Sequence, residues 1–258
     1  SYLSKADEFT LPDEIESKRI GASQFPFFCY EKGSVRLSHY PSVIKAMLYG
    51  DPYWIKMFWV ETNNPAFNRP NSKEVVKALT NLDFLLVSDF QMTPSGELAD
   101  LFLPQAMTFE YDEITFVPSS KSVQIRQKAV EPPGEAKYLT DVILDLKKRM
   151  AKKGLLEEKF IPWNSKEELF KFILKGSGYS FEDLKEKGFV EALVPCYEPG
   201  NYNTPSGKIE LKSSILEKHG HSSLPVWRES PDIERTELME KFPLLLISGT
   251  RERVYNES

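Results

Sequence analysis

The stretch that decides the fold is residues 55–104, IKMFWVETNNPAFNRPNSKEVVKALTNLDFLLVSDFQMTPSGELADLFLP. It contains three short apolar runs, and each predicts a buried strand. The runs are Ile55–Val60, Asp83–Ser88 and Leu101–Leu103. Two helical patterns separate them: one begins behind Asn71, which with Glu74 predicts a capping box, and the other covers Gly96–Asp100. This alternation predicts a parallel sheet with crossover helices.

Polar residues follow the first two predicted strands, where an open parallel sheet binds its ligands. Thr62, Asn63 and Asn64 follow the first strand, and Asp89 follows the second with Thr93 close behind. The Asp89 carboxylate would accept hydrogen bonds from the ring N–H and exocyclic amine of guanine, and Asn64 and Thr93 suit ribose or phosphate oxygens. Asn64 and Asp89 are also residue types that cap turns, and spacing leaves both interpretations open.

Beyond the sheet, the sequence predicts a hairpin, several helices and a polar connector over residues 222–241. The hairpin pairs Ile114–Val117 with Ser122–Arg126. Further helices begin at Ser165 and Ser180, and a short one covers residues 215–219. Another helix is expected to bury one apolar face, made of Leu139, Val142, Ile143, Leu146 and Met150. The basic run at its end, Lys147–Arg149 with Lys152 and Lys153, is expected to complement the helix dipole rather than to form a binding patch.

These elements place the chain in the α/β class, as a partial, doubly wound parallel sheet followed by a mixed, mainly helical and loop extension. We expect an irregular lead-in over residues 1–40 and an α/β lobe over 41–117. The hairpin, helices and connector occupy residues 118–241. Residues 242–258 begin a further domain, because Phe242–Ser248 resembles a buried strand that lacks a partner behind it. We therefore expect the chain to be a piece of a longer protein.

Composition excludes several classes of protein. The 258 residues carry a net charge of -5 with acids and bases mixed, so no surface for nucleic acid is indicated. No run approaches the roughly 20 apolar residues of a membrane span, which argues against direct membrane insertion. Cys29 and Cys196 lie far apart, so the chain encodes neither an iron–sulfur nor a zinc motif. Glycine-rich phosphate-binding motifs and the nucleophile elbow are also absent from the sequence.

An ordered series of short motifs resembles the molybdopterin oxidoreductases of the dimethyl sulfoxide reductase type, which include formate dehydrogenases, nitrate reductases and thiosulfate or polysulfide reductases. The resemblance covers nearly all of residues 40–258. Its motifs are Asn64-Pro65, Leu82-Asp83-Phe84 with Asp89 and Thr93, Ala99-Asp100 with Leu103-Pro104, residues 129–136, residues 204–211, Leu224-Pro225 and residues 243–251.

The resemblance implies that Asn64, Asp89 and Thr93 contact the guanosine end of a molybdopterin guanine dinucleotide. Thr62 stands at the same turn, where the family usually has glycine. Arg251, and Arg253 beside it, would lie where the family's C-terminal capping domain approaches the cofactor. The whole protein would then hold a bis-molybdopterin guanine dinucleotide with molybdenum or tungsten, and an iron–sulfur cluster in a part N-terminal to this chain.

The resemblance also implies a redox activity for the whole protein, by transfer of two electrons or of an oxygen or sulfur atom, with the chain alone inactive. The implied partners are the rest of the same polypeptide, an iron–sulfur electron-transfer subunit and a membrane-anchor subunit. Relatives work on either side of a bacterial or archaeal membrane. Two alternatives remain open: a non-catalytic nucleotide-binding α/β module, and a non-redox molybdopterin enzyme such as a hydratase.

Overall fold

The computed structural model describes residues 13–29, 37–117, 122–156, 161–191, 200, 202, 204–229 and 234–246. The chain divides into two compact units, residues 1–194 and residues 195–258, and each is treated by itself. The first unit has a parallel sheet, a second sheet and helices, which confirms the predicted α/β class. The finer division into segments at residues 40, 117 and 241 stays a prediction.

The three predicted strands form one parallel sheet in the order β1-β2-β3. They are β1, Met57–Glu61, β2, Phe84–Asp89, and β3, Leu101–Pro104. Asp100 aligns the beginning of β3 with β2, since its Oδ2 accepts from the Leu85 amide at 2.6 Å and its own amide donates to the Leu85 carbonyl. Each strand ends one residue later than predicted. Because the three strands are parallel, their carboxyl ends lie at the same edge of the sheet.

The first helix, α1, Asp13–Glu16, buries none of its residues. The helices that pack with the sheet or with one another beside it are α2, Tyr40–Tyr49, α3, Pro65–Asn68, α4, Ser72–Thr80, and α5, Pro94–Glu97. The buried side chains of α2 and α4 meet those of the strands in one core, formed by Ile44, Met47, Val60, Ala66, Val75, Ala78, Leu79, Leu85 and Val87. The Asn81 Nδ2 atom donates to the Met47 carbonyl at 2.7 Å and joins the end of α4 to α2. The sheet therefore rests on a continuous apolar layer that fixes its strands.

The predicted capping box at the start of α4 is wrong. Asn71 adopts a left-handed backbone with φ 56°, whereas a capping residue is normally extended. Its side chain accepts no hydrogen bond from a backbone amide of the helix, and its Nδ2 atom donates instead to Glu74 Oε2 at 2.5 Å. The two residue types were identified correctly, but the backbone conformation at Asn71 turns them into a contact between side chains.

The second sheet is antiparallel and has the order β4-β5-β6. Its strands are β4, Glu113–Val117, β5, Ser122–Arg126, and β6, Phe189–Glu191. The predicted hairpin is confirmed, whereas β6 was not predicted because only three residues of strand follow Gly188. Three helices complete this region: α6, Leu139–Lys152, α7, Lys166–Leu174, and α8, Phe181–Lys187. Its small core comprises Leu174, Leu184 and Val190.

The predicted buried face of α6 is wrong in part. Leu146 is exposed, and the fully buried positions are Leu144 and Lys147. Lys147 is 4% exposed, and its Nζ donates to the Trp163 carbonyl at 3.0 Å and to Asn164 Oδ1 at 2.8 Å. The segment that leads into α7 supplies these acceptors, so a residue expected only to complement the helix dipole is buried by a contact that helical spacing does not reveal.

The second unit contains α9, Ser214–Lys218, and α10, Thr236–Lys241, among its described residues. α9 confirms the predicted short helix, and α10 lies inside the segment predicted as a connector. Residues 242–246 follow α10 without strand pairing, and Leu244 and Leu246 are 90% and 99% exposed. The expectation of a buried strand is therefore wrong for these residues, since no described strand of the unit pairs with them.

Candidate functional site

The carboxyl ends of β1, β2 and β3 bring three polar residues side by side. The amide of Thr62, which follows β1, donates to the Ser88 carbonyl of β2 at 2.8 Å. The amide of Gln105, which follows β3, donates to the Asp89 carbonyl at 2.9 Å. Thr62 and Gln105 therefore flank the end of β2, where Asp89 is the last residue. The predicted meeting of strand ends is confirmed for β1 and β2, and β3 adds a third member.

Asp89 places a carboxylate at this edge in a largely dry environment. The residue is 4% exposed, and its Oδ1 accepts from the Phe90 amide at 2.8 Å. Burial raises the pKa of the Asp89 carboxyl, and hydrogen bonds from the amides of Phe90 and Gln91 oppose that rise. Among the described residues, no lysine or arginine forms an ion pair with this carboxylate. Further hydrogen-bond donors would therefore stabilise its ionised form.

Thr62 has an unusual backbone for a β-branched residue. Its φ of 42° lies in the left-handed region, which costs such residues about 1–3 kcal/mol. Its hydroxyl donates to Gln105 Oε1 at 2.8 Å and so spans the end of β2. Strain of this kind is commonly retained where a backbone must pass close to a ligand, which fits a position where the resembling family carries glycine.

Asn64 and Thr93 use their acceptor oxygens inside the protein. Asn64 Oδ1 accepts from the Ser95 hydroxyl at 2.8 Å and from the Ser95 amide at 3.2 Å. The Ser95 Oγ atom in turn accepts from the Ala66 amide at 3.0 Å. Thr93 Oγ1 caps α5 by accepting from the Gly96 amide at 3.1 Å. These contacts join the turns behind β1 and β2, which agrees with the turn-capping interpretation. Direct contact of Asn64 and Thr93 with a cofactor stays a prediction.

Gln105 is the residue of this edge that sequence reasoning missed. Its Oε1 atom accepts from Thr62, while its Nε2 atom is buried and has no hydrogen-bond partner among the described residues. The available signal was that a third strand ends beside the other two and is followed by a polar residue. This signal was not used, because Pro104 after a short apolar run was interpreted only as the end of the strand.

The remaining predicted contacts can be placed only in part. Arg251 and Arg253 lie outside the described residues. The described part of the chain holds no group of three or more histidine, cysteine, aspartate or glutamate side chains suited to a metal ion. None of the helices described is both long and apolar enough to cross a membrane.

Comparison with known proteins identifies the family of this chain. The family model of molybdopterin oxidoreductases matches residues 37–149, which include the whole parallel sheet. Acetylene hydratase of Syntrophotalea acetylenica is 30% identical over 94% of this chain and 36% of its own length. The alpha subunit of the F420-dependent formate dehydrogenase of Methanocaldococcus jannaschii is 34% identical over 76% of this chain and 28% of its own length. The molybdopterin-containing subunit of the thiosulfate reductase of Salmonella typhimurium is 27% identical, with 76% of this chain and 28% of the subunit covered.

A solved structure agrees with these relatives. Acetylene hydratase from Pelobacter acetylenicus matches 94% of this chain with a TM-score of 0.78 and 29% identity, and 36% of the solved chain is covered. The chain thus spans about a third or less of the length of the relatives it matches. The family model covers the parallel sheet and the turns behind its strands, and the 30% identity to acetylene hydratase extends over 94% of the chain, so the chain belongs to the molybdopterin oxidoreductase family.

Proposed function

We propose that this chain binds the guanosine end of a molybdopterin guanine dinucleotide at the carboxyl edge of its parallel sheet. The observation that carries the proposal is Asp89, a buried carboxylate that forms no ion pair with any lysine or arginine of the described residues and is flanked by Thr62 and Gln105. An ionised carboxylate only accepts hydrogen bonds, and guanine offers a ring N–H next to an amine on one edge. Binding of these two donors would offset the desolvation that raises the pKa of Asp89.

The residues around Asp89 fit such a group. Thr62 places its strained backbone beside the end of β2, where a nucleotide would approach. Asn64 and Thr93 fix the turns that frame the edge through Ser95 and Gly96. In the predicted role, the Asn64 amide and the Thr93 hydroxyl would additionally donate to ribose or phosphate oxygens. Arg251 is proposed as a further contact on the basis of resemblance alone.

The whole protein is proposed to be the catalytic subunit of a molybdenum- or tungsten-dependent oxidoreductase that carries two such dinucleotides and an iron–sulfur cluster. When bound, the cofactor supplies the transfer of electrons or of an oxygen or sulfur atom, while the protein binds and orients it. This proposal is supported by family membership and by relatives named as a formate dehydrogenase and a thiosulfate reductase. The proposed partners are the rest of the polypeptide, an iron–sulfur subunit and a membrane-anchor subunit.

A non-redox enzyme is the second candidate. The similarity to acetylene hydratase extends over 94% of the chain, further than that to the formate dehydrogenase or the thiosulfate reductase. The cofactor-loaded protein separates the candidates, since an oxidoreductase reduces a redox dye in the presence of substrate and a hydratase adds water without dye reduction. We expect the chain alone to reduce no dye, and substrate-dependent dye reduction by the purified chain would contradict that expectation.

The nucleotide site itself is tested by calorimetric titration of the purified chain with GDP and ADP. We expect a preference for GDP, and a loss of about 10- to 100-fold in GDP affinity in Asp89→Asn, because hydrogen bonds to a charged group contribute about 1.5–3 kcal/mol. Asp83→Asn is the matched control, since Asp83 precedes the same strand at the opposite, exposed end and pairs with Lys56. Equal affinity for GDP and ADP, or unchanged GDP binding by Asp89→Asn, would refute the proposal.

A further inference from the structure

The side-chain amide of Gln105 is only half satisfied. Its Oε1 atom accepts from the Thr62 hydroxyl at 2.8 Å, whereas its Nε2 atom is buried without an acceptor among the described residues. A buried N–H group without an acceptor destabilises a protein, and folded proteins rarely leave one in that condition. The half-satisfied amide therefore indicates a position where an acceptor from a ligand completes the structure.

The position of this amide relative to Asp89 is fixed by backbone hydrogen bonds. The Gln105 amide donates to the Asp89 carbonyl, and the Thr62 amide donates to the Ser88 carbonyl. The side-chain contact between Gln105 and Thr62 thus crosses the end of β2 from one flanking strand to the other. The Gln105 side chain therefore lies across the end of β2, of which Asp89 is the last residue.

We propose that Gln105 is a specificity-determining residue whose Nε2 donates to O6 of the guanine that Asp89 holds through its ring N–H and amine. This inference rests on the proposed function and extends it. Guanine presents one acceptor and two donors along a single edge, and the pair formed by Gln105 and Asp89 offers one donor and one acceptor group. Adenine carries an amine in place of O6, so two hydrogen-bond donors, this amine and the Gln105 Nε2 atom, would face each other. Gln105 thereby rejects adenine nucleotides.

The first test is calorimetric titration of the purified chain with GDP and ADP in two variants. Gln105→Glu keeps the shape and the acceptor for Thr62, replaces the Nε2 donor with oxygen and adds a carboxyl group close to Asp89, so Gln105→Met serves as its uncharged counterpart. We expect a loss of about tenfold in GDP affinity and a smaller ratio of GDP to ADP affinity. Gln105→Met removes both polar atoms and is expected to reduce GDP affinity about fivefold, with only a small change in thermal stability because loss of the acceptor for Thr62 is offset by removal of the unpaired N–H. Gln127→Glu is the matched control, because Gln127 lies at the exposed end of β5 and donates to the Lys185 carbonyl.

The second test needs no variant and compares GDP with 6-thio-GDP on the wild-type chain. Sulfur is a weaker acceptor than oxygen, so 6-thio-GDP is expected to bind several-fold more weakly. If GDP binding depends on Asp89 while both Gln105 variants and 6-thio-GDP bind as GDP does to wild type, the role of Gln105 is refuted and the nucleotide site stands. If GDP does not bind the wild-type chain, or binds independently of Asp89, the site and the role of Gln105 are refuted together.

Discussion

The two sheets of the first unit have three strands each and differ in the direction of those strands. In the parallel sheet, β1, β2 and β3 all end at the same edge, where Thr62, Asp89 and Gln105 meet. In the antiparallel sheet, neighbouring strands end at opposite edges. Parallel strand direction therefore gathers polar side chains from distant parts of the chain at one edge, and among the described residues this edge is the candidate site.

The sheets also differ in how deeply the central strand is buried. All residues of β2 from Leu85 to Asp89 are buried, polar ones included. The central strand β5 of the antiparallel sheet is mostly half-buried, and three residues form the buried centre of its core. Parallel sheets are normally covered on both faces by helices. In β2 the burial extends to Ser88 and Asp89, so the Asp89 carboxylate is removed from water as well as brought close to Thr62 and Gln105.

The largest effect that separates the sheets is expected from truncating their cores. Leu85→Ala and Leu184→Ala each remove a buried leucine, and each is expected to lower the free energy of unfolding by about 2–5 kcal/mol. Urea denaturation measures that loss. GDP affinity, measured where the variants are still folded, should fall for Leu85→Ala and stay unchanged for Leu184→Ala. An equal loss of affinity in both variants would contradict the confinement of the site to the parallel sheet.

A smaller effect is expected from Ser95→Ala. Ser95 is fully buried, and its hydroxyl joins Asn64 to the Ala66 amide, so its removal leaves the buried Ala66 amide without this acceptor and Asn64 Oδ1 with the Ser95 amide as its remaining donor among the described residues. We expect a loss of about 1–3 kcal/mol in the free energy of unfolding, together with weaker GDP binding. Ser17→Ala is the control, because the exposed Ser17 hydroxyl bonds only the Glu14 carbonyl, and it should change stability by no more than about 0.5 kcal/mol. Equal effects of the two substitutions would show that the turns do not depend on Ser95.

The smallest effect concerns the pH dependence of stability. Burial raises the pKa of Asp89 above its usual value of 3.8, so the folded protein keeps this proton to higher pH than the unfolded chain does. The stability that the protonated Asp89 contributes is fully present below the pKa of the unfolded chain. It is lost as the pH rises through the raised pKa of the folded protein. Without ligand, Asp89→Asn should therefore gain stability relative to wild type as the pH rises across that interval. The measurement is urea denaturation of both proteins over a pH series. A difference in the free energy of unfolding between Asp89→Asn and wild type that does not change with pH would contradict this expectation.

Much of the fold could be predicted from local patterns. The strands of the parallel sheet, α4 and the hairpin follow apolar periodicity closely, because burial of one face imposes that periodicity on the sequence. The misses have a common cause. β6 is three residues long, Lys147 is buried by the segment before α7, and Asn71 has a left-handed backbone. Each depends on a partner or a conformation that neighbouring residues do not reveal.

The sequence by itself determined that the chain has parallel strands with polar residues behind them, because strand formation and crossover order are local and periodic properties. Tertiary structure decided how the side-chain atoms of those residues are bonded inside the protein. Asn64 and Thr93 direct their oxygens to Ser95 and Gly96, while Gln105 keeps a buried donor beside Asp89. The physical reason is that Thr62 and Gln105, 43 residues apart, meet only when the sheet forms, and a hydrogen bond at that separation leaves no periodic trace in the sequence.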